Sequence, residues 1–112
     1  MIKKALFVVA HPDDELLGCG GTLAYLKSKK VETLVLYLSE GVSARFNTLN
    51  SKNVRTEIIN RENMAKKVSK FLNFKIIGFL RHKNLRMDCE PLLDITKKIL
   101  KLIEKYKPDY VF

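Results

Sequence analysis

Four short apolar runs divide this chain, and the residues between them repeat with a helical period. Ala5–Ala10 is the first run, Thr33–Leu38 the second, Lys75–Leu80 the third, and Asp109–Phe112 begins a fourth. The runs are continuous rather than alternating. Strands of that kind are buried on both faces, as in parallel sheets. Between them, Leu16, Leu23, Tyr25 and Leu26 outline one helix. Ile58, Met64, Ala65, Val68, Phe71 and Leu72 outline a second, and Leu92, Ile95, Ile99, Leu102, Ile103 and Tyr106 a third, with lysines opposite. Strand–helix alternation carried through four strands predicts an α/β fold: a Rossmann-like three-layer α/β/α structure with a mainly parallel sheet. Pro91 is expected in the first turn of the third helix, and Gly78 is a weak point in the third strand. The polar, aperiodic stretch Gly41–Thr56 reads as a long loop at the carboxyl end of the second strand, where such folds place function.

A chain of 112 residues makes a single domain. No apolar run reaches the ~18 residues of a membrane span. The short apolar stretch near the N-terminus leads directly into acidic residues, unlike a secretory signal. Cys19 and Cys89 are too few for a disulfide framework, so reduced thiols and a cytoplasmic location are expected. The net charge is +9, and fifteen of the 21 Lys and Arg residues follow position 45. That excess favours an anionic substrate, or is simply solvated helix surface. No zinc-finger or RNA-binding motif accompanies it, so no nucleic-acid partner is expected.

The chemistry-bearing residues follow the first strand: His11-Pro12-Asp13-Asp14-Glu15, then Gly18-Cys19-Gly20-Gly21-Thr22. Open α/β sheets bind ligands at this edge. Three carboxylates beside one imidazole repel one another unless a cation neutralises them, and zinc takes such ligands. A carboxylate left free beside the metal can accept a proton from water. The same residues have a plainer use, because acidic side chains suit a helix N-terminus and His-Pro suits a turn. The glycines do not form the GxGxxG dinucleotide fingerprint.

Strand–Ala-His-Pro-Asp-Asp-Glu–Gly-Cys-Gly-Gly-Thr resembles the opening of the PIG-L/LmbE-like N-deacetylases, zinc-dependent hydrolases of N-acetylglucosamine-type sugars and glycoconjugates. Leu38-Ser39-Glu40-Gly41, the helix bearing Arg61, Asn84–Asp88 with Pro91-Leu92-Leu93, and Lys107–Phe112 resemble later family segments in order. The resemblance implies His11 and Asp14 as zinc ligands and Asp13 as general base. It gives Glu15 a supporting or capping role, and Arg61 and Asp88 supporting or substrate contacts. It also implies an acetamido-sugar substrate.

The resemblance covers about the first half of a family member, so the domain is expected to be truncated after its fourth strand. The family's further histidine ligand, and a second histidine near it, would lie past that strand and are absent from this chain. Met64 and Lys83 stand where many members carry acidic residues. His82 is a substitute ligand on the correct sheet edge, or else a solvent-facing loop residue. A longer native polypeptide, an oligomer or a complementing chain would complete the site. The alternative is a non-catalytic sugar- or partner-binding remnant.

Overall fold

The computed structural model describes residues 1–112. The chain runs β1 (Lys4–Val9), α1 (Asp14–Ser28), β2 (Glu32–Ser39), α2 (Lys52–Leu72), β3 (Lys75–His82), α3 (Leu92–Tyr106) and β4 (Tyr110–Val111). Short 3-10 turns cover Ser43–Arg45 and Met87–Cys89. All strand pairs are parallel, in the order β3-β2-β1-β4. This is the leading part of the doubly wound order, with its switch point between β1 and β4.

Alternation along the strands sorts the core into two layers. Ala5, Phe7, Val35 and Tyr37 meet Leu23 and Leu26 of α1 and Ala65 and Leu72 of α2 on one face. Leu6, Leu34 and Leu36 point to the other face, where Ile99, Leu102, Ile103 and Tyr106 of α3 pack against them. Gly78 marks a bulge: Val35 pairs with Ile76, but Leu36 pairs with Gly78. The extra residue shifts the phase, so Ile76 and Phe79 reach the same layer although three positions apart. A Cβ on Gly78 would stand 3.0 Å from Leu36 Cδ1.

Several expectations are corrected by tertiary packing. The stretch Gly41–Thr56 is not one loop. Ser51 caps α2 by accepting a hydrogen bond from the Val54 amide, so the helix takes in Lys52–Thr56 and buries Val54. The buried face of α2 is therefore Val54, Glu62, Ala65 and Leu72, while Met64 and Phe71 are exposed. Leu16 and Tyr25 of α1 and Leu92 of α3 are likewise exposed. Pro91 caps α3 from outside rather than lying in its first turn. β3 runs two residues past Leu80, to His82.

β4 is held to β1 at both ends. The Asp109 carboxylate accepts from the Lys3 and Lys4 amides at 2.8 and 2.9 Å, and these bonds hold it below the ordinary carboxylate range. Beyond it, the Val8 amide donates to the Phe112 carbonyl, and the Phe7 and Phe112 rings stack 4.7 Å apart. Tyr110, Val111 and Phe112 line an open sheet edge. No helix is long and apolar enough to cross a membrane.

Candidate metal centre

The backbone leaves β1 at Val9 and reaches α1 at Asp14 through a tight turn. Asp13, the N-cap of α1, sits at φ 119°, a region costly for any residue but glycine. Its neighbours over-determine it. The Asp13 amide donates to Glu15 Oε2 at 2.9 Å, and the Asp13 carbonyl accepts from the Leu16 and Leu17 amides. The His11 amide donates to Asp14 Oδ2 at 3.2 Å, closing the turn on itself.

This turn brings three side chains together. His11 Nδ1 lies 3.3 Å from Asp13 Oδ1 and 3.5 Å from Asp14 Oδ2. One donor atom from each of the three residues falls within 4.8 Å of the others. His11 Nδ1 and Asp13 Oδ1 are buried atoms without a hydrogen-bond partner. Orphaned buried donors and acceptors are rare because each costs desolvation free energy with nothing to offset it. An imidazole nitrogen and carboxylate oxygens converging this way suit a divalent cation such as zinc.

Arg61 of α2 locks the turn in place. Its Nε donates to the Pro12 carbonyl at 3.1 Å and its Nη2 to Asp13 Oδ2 at 2.6 Å. Its Nη1 donates to the Gly41 carbonyl. All three guanidinium nitrogens thus serve protein acceptors, two of them backbone carbonyls in the loops after β1 and β2. Asp13 is left with one unengaged oxygen, Oδ1, on the side of His11.

Glu40 and Gly41 support the same edge from β2, and Glu40 was not anticipated as a site residue. Glu40 is buried, and its carboxylate accepts from the amides of Val42, Ser43 and Asn84 and from the Ser43 hydroxyl. Burial alone would raise its pKa. The hydrogen bonds from Ser43, Asn84 and Val42 outweigh that and leave it lowered. Gly41 has φ +74°, and a Cβ there would stand 2.9 Å from His11 Cβ. An acidic residue followed by glycine at the end of a buried strand was the available sequence signal.

Glu15 is almost completely buried and takes the Asp13 amide. Burial and then the Glu15 charge push the Tyr37 phenol far up, so it stays neutral. Asp88 lies exposed on the 3-10 turn after β3, and no hydrogen bond or ion pair joins it to the cluster. His82 is neither a solvent-facing loop residue nor a member of the cluster. It ends β3, is buried, and lies 3.5 Å from Glu90 through Nδ1. Cys19 and Cys89 are free thiols.

Comparison with solved structures matches this architecture. N,N'-diacetylchitobiose deacetylase from Pyrococcus horikoshii aligns with 26% identity and a TM-score of 0.82, over 99% of this chain and 40% of that one. The conserved protein TT1542 from Thermus thermophilus aligns with 26% identity and a TM-score of 0.66, over 100% and 46%. GalB, the 4-carboxy-2-hydroxymuconate hydratase from Pseudomonas putida, shares the fold at 22% identity and a TM-score of 0.80, over 98% and 46%. The chain therefore spans less than half the length of each. No curated protein sequence matches it significantly. A hydratase on the same scaffold shows that this fold does not by itself dictate the reaction. The family described as PIG-L, GlcNAc-PI de-N-acetylase, matches from Leu6 in β1 to Phe112, so the turn that gathers His11, Asp13 and Asp14 lies within the match, and the chain belongs to that family.

Proposed function

We propose that the chain carries the metal-binding and general-base half of a hydrolase that removes the acetyl group from an N-acetylglucosamine-type sugar or glycoconjugate. One observation carries this reading: His11 Nδ1 and Asp13 Oδ1 are buried, unpartnered and face each other at 3.3 Å beside Asp14. The family match and the likeness to a chitobiose deacetylase support it.

His11 and Asp14 would hold a zinc ion. When bound, zinc lowers the pKa of a coordinated water and polarises an amide carbonyl. Asp13 contributes the proton-handling group. Arg61 occupies Oδ2, so Oδ1 is the atom that takes a proton from the attacking water and passes it to the leaving amine. The Arg61 clamp fixes that carboxylate and the Glu15 bond fixes the Asp13 amide, which shortens the search for the reactive geometry.

Catalytic zinc ordinarily has three protein ligands, and His11 and Asp14 supply two. The family resemblance places a further histidine just past β4. Phe112 runs alongside Val8 of β1, toward the edge that bears His11. A third protein ligand reaching that edge would complete the site.

The test, run on the polypeptide that the native gene makes, is acetate release from N-acetylglucosamine and its glycosides with zinc present, together with zinc affinity from chelator competition. Zinc-dependent release, abolished by EDTA and by Asp13→Asn, is expected. Weaker zinc binding is expected in His11→Ala. Release that persists unchanged through both treatments would defeat the reading. Zinc binding without release would favour the second reading, a non-catalytic sugar- or partner-binding member of the fold. That alternative rests on the convergence of only one imidazole at the cluster.

A further inference from the structure

The parallel strands and their crossover helices bring every helix end and strand start to one edge of the sheet, opposite the His11 cluster. Residues 1–5, 22–33, 66–76 and 100–111 make up that edge: the N-terminus, the last two turns of each helix, the connections and the first residues of each strand. They hold twelve lysines, no arginine and three acidic residues, Glu32, Glu104 and Asp109. The rest of the chain holds nine basic and nine acidic residues. The whole net charge of +9 therefore sits on the edge turned away from the metal cluster. We propose that this edge is a docking face for an anionic phospholipid bilayer, bound peripherally with the metal cluster turned to the aqueous side.

Three observations carry this. The first is that the charge is free. Eleven of the twelve lysines are exposed, and Lys4–Glu32 is the one ion pair among them. Helix C-termini favour basic side chains, but that effect falls off within the last turn. Lys66, Lys67 and Lys101 lie before the last turn of their helices, and Lys4 and Lys75 open strands. Compensation of the helix dipoles therefore does not account for the excess. Crowded like charges repel one another, and an anionic surface relieves that cost.

The second is the apolar material set among the lysines. Tyr25 and Phe71 are 60% and 76% exposed. Tyr25, with Met1, Ile2, Leu26 and Val31, lines a notch of about 240 Å³ beside Lys29. Val31 also borders a basic cleft of about 400 Å³, lined by Lys27, Lys30 and Lys75 together with Glu32. At a membrane surface, aromatic rings and lysine stems enter the headgroup layer while the ammonium groups stay at the phosphates.

The third separates a bilayer from a nucleic acid. Nucleic-acid recognition draws on arginine forks and on ring faces open to stacking bases. All five arginines lie outside this edge. The Lys27 and Lys29 ammonium groups sit 5.4 and 5.5 Å from the Phe71 and Tyr25 ring centroids, so a lysine already covers one face of each ring. An anionic bilayer requires only lysines gathered near its surface.

The test is co-sedimentation of the polypeptide that the native gene makes with phosphatidylcholine vesicles. These are prepared with and without about one-third phosphatidylglycerol, at about 0.1 M and about 0.5 M salt. Binding to the anionic vesicles alone is expected, weakening at the higher salt. Lys30→Gln, Lys67→Gln and Lys70→Gln combined, all at exposed positions without an ion pair, are expected to weaken it about tenfold or more. Arg45→Gln, Lys52→Gln and Arg86→Gln combined remove the same charge from exposed positions outside this edge, and are expected to change it less than about threefold. No binding to the anionic vesicles, equal binding with and without phosphatidylglycerol, or an equal loss in both triple variants would overturn the docking face. Tighter binding to a single-stranded oligonucleotide than to the vesicles would overturn it too, and would assign the edge to nucleic acid.

Discussion

Arg61 Nη2 donates to Asp13 Oδ2 at 2.6 Å across 48 positions of sequence, while the same guanidinium ties down the carbonyls of Pro12 and Gly41. One side chain of α2 thereby fixes the loops that follow two adjacent strands and sets which oxygen of Asp13 remains free. Lysine cannot reproduce this, because an ammonium lacks the planar fork that serves three separated acceptors. Arg61→Lys is expected to lower stability by roughly 1–2 kcal/mol, the side chain being partly solvated. Urea denaturation checks this, and an unchanged midpoint would show that the clamp is not structural.

Gly41 faces His11 at a distance that leaves no room for a methyl group. Gly41→Ala combines a positive-φ penalty with a Cβ 2.9 Å from His11 Cβ and 3.1 Å from its Cγ. The expected loss is about 1–3 kcal/mol of stability. Because the clash falls on the imidazole, zinc affinity should drop as well. Thermal melting and chelator competition together test this, and loss of stability without loss of affinity would contradict the proposed ligand role of His11.

The Glu40 carboxylate has a pKa lowered in the folded state relative to its ordinary 4.5. Its contribution is therefore complete above the unfolded-state value and is lost as pH falls through the folded-state value. Stability should decline on acidification below about pH 4.5, with Glu40 among the groups responsible. In Glu40→Gln the amide NH2 replaces one acceptor oxygen and confronts amide donors. A loss of about 2 kcal/mol at neutral pH, with a shallower acid limb, is expected. Denaturation across pH 3–7, within the range that carboxylates titrate, would refute this if wild type and variant stayed parallel.

Asp13→Asn preserves size but removes the proton acceptor at Oδ1. Acetate release should fall by about 10²–10⁴-fold. Zinc affinity should fall less than in His11→Ala, because Asp13 is assigned the proton and not the metal. A rate close to wild type would transfer the base role to another group.

Much of this organisation was legible from local pattern. The apolar runs Ala5–Ala10 and Thr33–Leu38 announce buried parallel strands because no side of them is polar. The acidic cluster was legible as a candidate site because its members are neighbours in sequence and a strand–turn–helix unit places them at one edge. The helix faces were less legible. Met64 and Phe71 satisfy an apolar period, yet the core takes Ala65, Val68 and Leu72, and only the placement of α2 against β3 and α1 decides which stripe is buried. Ser51 carries the start signal of α2, but the polar stretch before Val54 has no periodicity to reveal it.

The sequence by itself determined that the chain alternates strands and helices, that its sheet is buried on both faces, and that an imidazole and carboxylates leave the first strand together. Each of these follows from residues within a few positions of one another. Tertiary structure alone decided that His82 is buried but not among the clustered residues and Asp88 exposed, that Glu40 binds the loops after β2 and β3 together, and that Arg61 engages Asp13 rather than solvent. These outcomes depend on contacts spanning 20 to 49 residues. Such contacts exist only once the parallel crossovers have stacked the strand ends side by side, and no local propensity encodes them.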